Sequence, residues 1–162
     1  MSTVRVLFTR RRLPVSLLIR LVTWSEWSHV EILDGEELIG ADMINGVCLT
    51  PLAHRLEISS HAAIMNIPCA DPAAVIAAAR SQIGKGYDYP GLLGLVTHQR
   101  DWQSDQDWFC SELTAWAFGS AGFPLFRADM AFRIVPQHLW MLPWPYTLSS
   151  NPRELRMLES LA

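Results

Sequence analysis

Two turn dipeptides, Asp34-Gly35 and Asn45-Gly46, cut residues 27 to 51 into three strand-like runs, and this spacing limits the fold more than any other feature of the chain. Asp-Gly and Asn-Gly tolerate the positive φ of a tight turn and are the strongest short-range hairpin signals. They predict an antiparallel set: a strand opened by His29 and running to Leu33, a return through Leu38-Ile39-Gly40-Ala41 that closes at Asp42, and Val47-Cys48-Leu49 continuing to Pro51. The first loop could extend to Glu37. Residues 4 to 8 read as a further strand, and residues 54 to 59 and 61 to 67 as more of the same sheet, the stretch around Arg55 and Glu57 carrying the weaker signal.

Helical signals surround these strands. Pro14 is placed as the first residue of a helix to about Thr23, apolar nearly all round and therefore expected to pack on several sides. Asp71 predicts an N-cap, with Pro72 in the first turn, strong formers from Ala73 to Ile83, and Gly84 just past the end. A third helix covers Leu113 to Phe118 and stops among Gly119 to Gly122 and Pro124. A charged tail from Pro152 reads as helical. Strands gathered in the first half and helices in the second predict an α+β domain with an antiparallel sheet packed against helices. At 162 residues, half of them hydrophobic, the chain suits one domain over 1–162 with its own core.

Charge and cysteine content narrow the function. A net charge of −3, with no glycine-rich phosphate loop and no basic-aromatic ladder, argues against nucleic acid. Three cysteines without a C-x-x-C pair argue against a disulfide framework or zinc knuckle and suit a reducing, cytoplasmic setting. Arg10-Arg11-Arg12 before an apolar run resembles a signal peptide, but Arg20 interrupts the run and no small-residue cleavage site follows. The run is also too short for a membrane span. Trp140 and Trp144, among prolines, are expected to pack on the core, since no basic amphipathic helix is evident.

The chemistry is carried by Trp108-Phe109-Cys110-Ser111-Glu112-Leu113, which puts a cysteine in the first turn of the third helix. There the thiol would face unpaired N–H groups and the positive end of the helix dipole, both of which favour thiolate. The competing reading is a buried cysteine packed between Phe109 and Leu113. A thiol nucleophile needs a base, and the base needs an orienting partner. Of the five histidines, His29 is best placed, because it opens a strand across which the cysteine helix could pack. His54, His61, His98 and His138 suit surface or structural roles better. His29 and Glu31 share a strand face, but no second ligand pair appears at a recognisable spacing, so neither a metal site nor a cofactor is expected. The long connection from Lys85 to Asp107 is expected to wall the site.

These segments, together with Gly46-Val47 and Pro136-Gln137-His138-Leu139, resemble the circularly permuted NlpC/P60 group of papain-like cysteine hydrolases, the YaeF/YiiX type, also related to lecithin retinol acyltransferases. The histidine strand precedes the cysteine helix here, as the permuted group has it. The resemblance implies a papain-like core with Cys110 as nucleophile and His29 as general base, acting on an amide, ester or thioester of a small peptide or acyl substrate. An inactive papain-like binding module is the alternative. The family's third polar residue falls on Gly40, which cannot orient an imidazole. Asp42, two residues on and so on the same strand face, is the natural substitute, and Glu31, on the face of His29, is the second candidate. Tyr87 and Tyr89 are possible oxyanion donors beside the Cys110 N–H, or residues of the site wall.

Overall fold

The computed structural model describes residues 2–88, 108–127 and 134–149. Its centre is a sheet of six strands in the order β4-β3-β2-β1-β5-β6, every neighbouring pair antiparallel. The strands are β1 (Thr3–Arg10), β2 (His29–Asp34), β3 (Glu37–Asp42), β4 (Gly46–Pro51), β5 (His61–Pro68) and β6 (Tyr146–Ser149). The helices are α1 (Pro14–Thr23), α2 (Leu52–Ile58), α3 (Pro72–Arg80), α4 (Cys110–Ser120) and α5 (Pro136–Trp140). The α+β class read from the turn dipeptides is the one observed. The helical tail expected from Pro152 lies outside the described residues.

Strand alternation divides the apolar residues between two faces. Val6, Phe8, Val30, Ile32, Ile39 and Ala41 meet Val75 and Ala79 of α3 and Leu113 and Phe118 of α4 in the larger core cluster. Leu7, Leu33, Leu38 and Ile64 meet Leu52 and Leu56 of α2 in the smaller one. His29 and Glu31 have the parity of Leu33, and Gly40 that of Leu38. The β2–β3 ladder runs from Asp34↔Glu37 to Ile32↔Ile39 and stops short of Glu31 and Gly40. At that end α4 packs against both strands.

Two local expectations are corrected, and one strand had no counterpart in the sequence reading. Residues 54 to 59 are not a strand: α2 forms because Leu52, Arg55 and Leu56, at i, i+3 and i+4, all turn inward, which is a helical stripe and not alternation. The Pro- and Trp-containing segment after α5 ends in β6, which pairs with β5 from Ala62↔Ser149 to Met65↔Tyr146. And α1, in place with the expected bounds, is not packed on several sides. It buries only Ser16 and Ile19. Asp71 caps α3 by accepting from the Ala74 N–H at 3.0 Å. Trp140 packs as expected, edge-on to Phe8 and Trp27, while Trp144 is 36% exposed.

Candidate active site

The cysteine helix starts without a side-chain cap. Phe109, at the N-cap with φ −86° and ψ 144°, has no oxygen to offer the first-turn N–H groups, and Cys110 is the first helical residue. The approach to it is held by a short parallel bridge between Tyr87 and Trp108, in which Trp108 N donates to Gly86 O at 3.1 Å and Asp88 N to Trp108 O at 3.2 Å. The Tyr87 ring tilts against Phe109 with centroids 5.9 Å apart. Gly46, at φ +66°, lets β4 approach this strap: a Cβ there would come within 2.2 Å of Lys85 O, and Val47 N instead donates to that oxygen at 2.8 Å. Tyr87 is thus buried against the residue that precedes Cys110. Tyr89 and His98 lie outside the described residues.

Cys110 and His29, 81 positions apart in the chain, are brought close enough for the sulfur to act on the imidazole. The Cys110 residue is 1% exposed, and the His29 side chain 17%. A carboxylate also stands against the ring, His29 Nε2 lying 3.3 Å from Glu31 Oε1, an ion-pair approach without hydrogen-bond alignment. Glu31 is 1% exposed and is held by Arg55, whose Nη2 donates to Oε1 at 2.9 Å and whose Nε lies 2.8 Å from Oε2. One hydrogen bond and one close charge contact thus hold the carboxylate against the guanidinium. Arg55 Nη2 also reaches Asp42 Oδ2 at 3.4 Å.

Glu31, therefore, and not Asp42, is the carboxylate against the imidazole. The Asp42 side chain accepts from Ile44 N at 2.9 Å and takes the outer side of Arg55. The reason lies at Gly40: a Cβ built there would fall 2.5 Å from Glu31 Cγ. Any side chain at position 40 would displace Glu31, and the missing side chain is the space into which Glu31 folds. Arg55 is the one participant that sequence reasoning missed. Its signal was the spacing of Leu52 and Leu56 around it, which marks a helix whose buried stripe includes position 55.

The electrostatics follow from this layout. Burial, the largest influence on His29, lowers its pKa, but Glu31 and Cys110 together overcome it and hold the ring at about 10. Burial likewise opposes ionisation of Glu31, and the His29 and Arg55 charges keep its pKa below the ordinary carboxylate value. Burial raises the pKa of the Cys48 thiol, and likewise that of Cys69. Chemically this is a chain of sulfur, imidazole, carboxylate and guanidinium, with charges alternating from the ring outward.

The fold is shared with a solved protein. It is similar to metalloprotein yiiX from Escherichia coli O157:H7, with a TM-score of 0.66, 17% identity, and coverage of 91% of this chain and 96% of that one. No protein-family model matches the chain, and no curated protein matches it either. The likeness extends to the α+β fold. The word metalloprotein is said of yiiX; here, among the described residues, no three His, Cys, Asp or Glu side chains are grouped to hold a metal ion. The carboxylate nearest the imidazole has both oxygens against Arg55, whose positive charge opposes a divalent cation.

Proposed function

We propose that the protein is a thiol hydrolase in which Cys110 is the nucleophile, His29 the general acid and base, and Glu31 the group that orients and charges the ring. One observation carries this reading: folding brings Cys110 close enough to His29 to act on its ring, with the buried Glu31 carboxylate 3.3 Å from the same imidazole. An imidazolium beside a sulfur at a helix start is the setting in which thiolates attack carbonyls. The thiolate would add to an amide, ester or thioester carbon, His29 would protonate the leaving group, and a water deprotonated by His29 would release the acyl group. The developing oxyanion would be met by first-turn N–H groups of α4, which Phe109 leaves uncapped. Glu31 takes the orienting place first given to Asp42, and Arg55 positions Glu31.

The resemblance to permuted NlpC/P60 hydrolases favours small peptide or acyl substrates. A panel of peptide, ester and thioester substrates, with mass spectrometry of the intact protein to trap the acyl group on Cys110, tests the reading. His29→Ala should lower turnover by about 10²-fold or more, and absence of any Cys110 adduct across the panel would count against it.

A second reading, an inactive papain-like binding module, is favoured by the burial of Cys110 at 1% exposure. Iodoacetamide near pH 6 separates the two. Preferential alkylation of Cys110 over Cys48 and Cys69 supports the hydrolase, and equal, slow labelling of all three supports the module.

A further inference from the structure

α1 is built inside out. Its inward face carries Ser16 and Ile19, and the Ser16 hydroxyl donates to Ser28 Oγ at 2.7 Å. Its outward face carries Leu17, Leu18, Leu21 and, at the αL cap, Trp24, the last two 64% and 89% exposed. Leu17, Leu18 and Leu21 fall on one side of a helix. A helix made only for this fold would keep its leucines inward.

The surroundings of this ridge are cationic. No aspartate or glutamate occurs before Glu26, so every charged side chain up to there is an arginine, in a chain whose net charge is −3. Arg10, Arg11, Arg12 and Arg20 line an open concavity of about 470 Å³ at the start of α1, together with Ser60 and His61. Within it Arg11 Nε, Arg20 Nε and His61 Nδ1 are buried without a hydrogen-bond partner. Glu26 approaches Arg10 alone, at 3.6 Å. Arg20 and Glu26 act on Arg10 with opposite sign, and burial together with Arg20 holds its pKa below the ordinary guanidinium value. Among the described residues, the groove is thus short of anions, beside a ridge short of an apolar partner.

We propose that α1 docks the protein on an anionic phospholipid bilayer, the arginine groove taking headgroup phosphates while Leu17, Leu18, Leu21 and Trp24 enter the acyl boundary. Apolar projections ringed by arginine are the complement of that interface, where tryptophan and leucine sit at headgroup depth and basic side chains meet phosphate. A second copy fits less well, since a two-fold contact through this face would set arginines against arginines. The helix also stands beside the candidate active site, because β1 leads into it and Thr9 of β1 pairs with His29. The docking face does not depend on the hydrolase reading.

Flotation of the full chain with vesicles tests this, comparing phosphatidylcholine alone with an equal mixture of phosphatidylcholine and phosphatidylglycerol. Binding should require the anionic lipid and weaken with salt. L17S/L21S/W24S should lower partitioning by about tenfold or more, and each of Arg11→Ala and Arg20→Ala by about fivefold. Because Leu17, Leu21 and Trp24 are exposed, far-UV circular dichroism of the triple variant should be unchanged. Should a variant misfold, the wild type still decides: lipids brominated in the acyl chain should quench a fluorescence component that is missing in Trp24→Phe. Failure of the folded wild type to float with anionic vesicles overturns the proposal. So does binding that survives the triple substitution, or a concentration-dependent dimer, abolished by that substitution, in a protein that ignores vesicles.

Discussion

α1 and α4 read alike as apolar segments, yet they end in opposite environments. α4 buries Cys110, Leu113, Ala117 and Phe118 together with the hydroxyls of Ser111 and Thr114, which donate to Ile134 O and Cys110 O. Small residues on several sides let strands and helices approach it from all directions. α1 carries long leucines outward, touches the fold through Ser16 and Ile19, and is flanked by arginines. Apolarity all round therefore does not specify burial. What separates the two helices is whether the polar atoms among the apolar ones are of a kind that can be satisfied inside, as hydroxyls on carbonyls can, or must keep a charge near solvent, as guanidinium groups do.

The contrast can be broken by truncation. Phe118→Ala in α4 should cost about 3–5 kcal/mol in urea unfolding, as expected for a fully buried aromatic. Glu31→Gln should cost about 3 kcal/mol, since it leaves the buried Arg55 without its main counter-charge, while Asp42→Asn, on the outer and partly exposed side of the same guanidinium, should cost about 1 kcal/mol or less. Leu21→Ala on α1 should lie within about 0.5 kcal/mol of wild type. A loss at Leu21 equal to that at Phe118 would mean that α1 is covered after all.

pH sharpens the comparison, because the two regions hold their charges differently. His29 is raised to about 10 in the fold from its ordinary 6.5. Its share of stability is therefore fully present below about pH 6.5 and lost as pH rises through about 10. The difference in urea midpoint between wild type and His29→Gln should shrink across that range. Glu31, lowered in the fold, contributes above its ordinary carboxylate value, and that share fades as pH falls through the lowered one. Leu21→Ala on α1, which removes no ionisable group, should show no comparable pH dependence between about 6 and 10.

Much of this was legible because turns and caps are local. Asp34-Gly35 and Asn45-Gly46 announced β2, β3 and β4, Asp71-Pro72 announced α3, and Cys110 with His29 stood out as a candidate pair that the fold brings together. What was not legible depends on contacts between distant segments. The choice of Glu31 over Asp42 turns on free space at Gly40, which alternation along one strand cannot reveal. Arg55 was hidden by reading 54 to 59 as a strand, though Leu52 and Leu56 held the helical period. The outward turn of α1 was hidden because a list of leucines has no inside until the neighbours are known.

The empty Cβ position of Gly40 also bears on how relatives would be compared. Positions 31 and 40 face each other across β2 and β3 and draw on one volume, so a substitution at either is constrained by the other. Gly40→Asn alone would evict the glutamate, whereas Gly40→Asn with Glu31→Ala frees the volume that the new side chain needs. Column-by-column alignment would score the two positions independently; aligned as a pair, they show one volume shared between neighbouring strands.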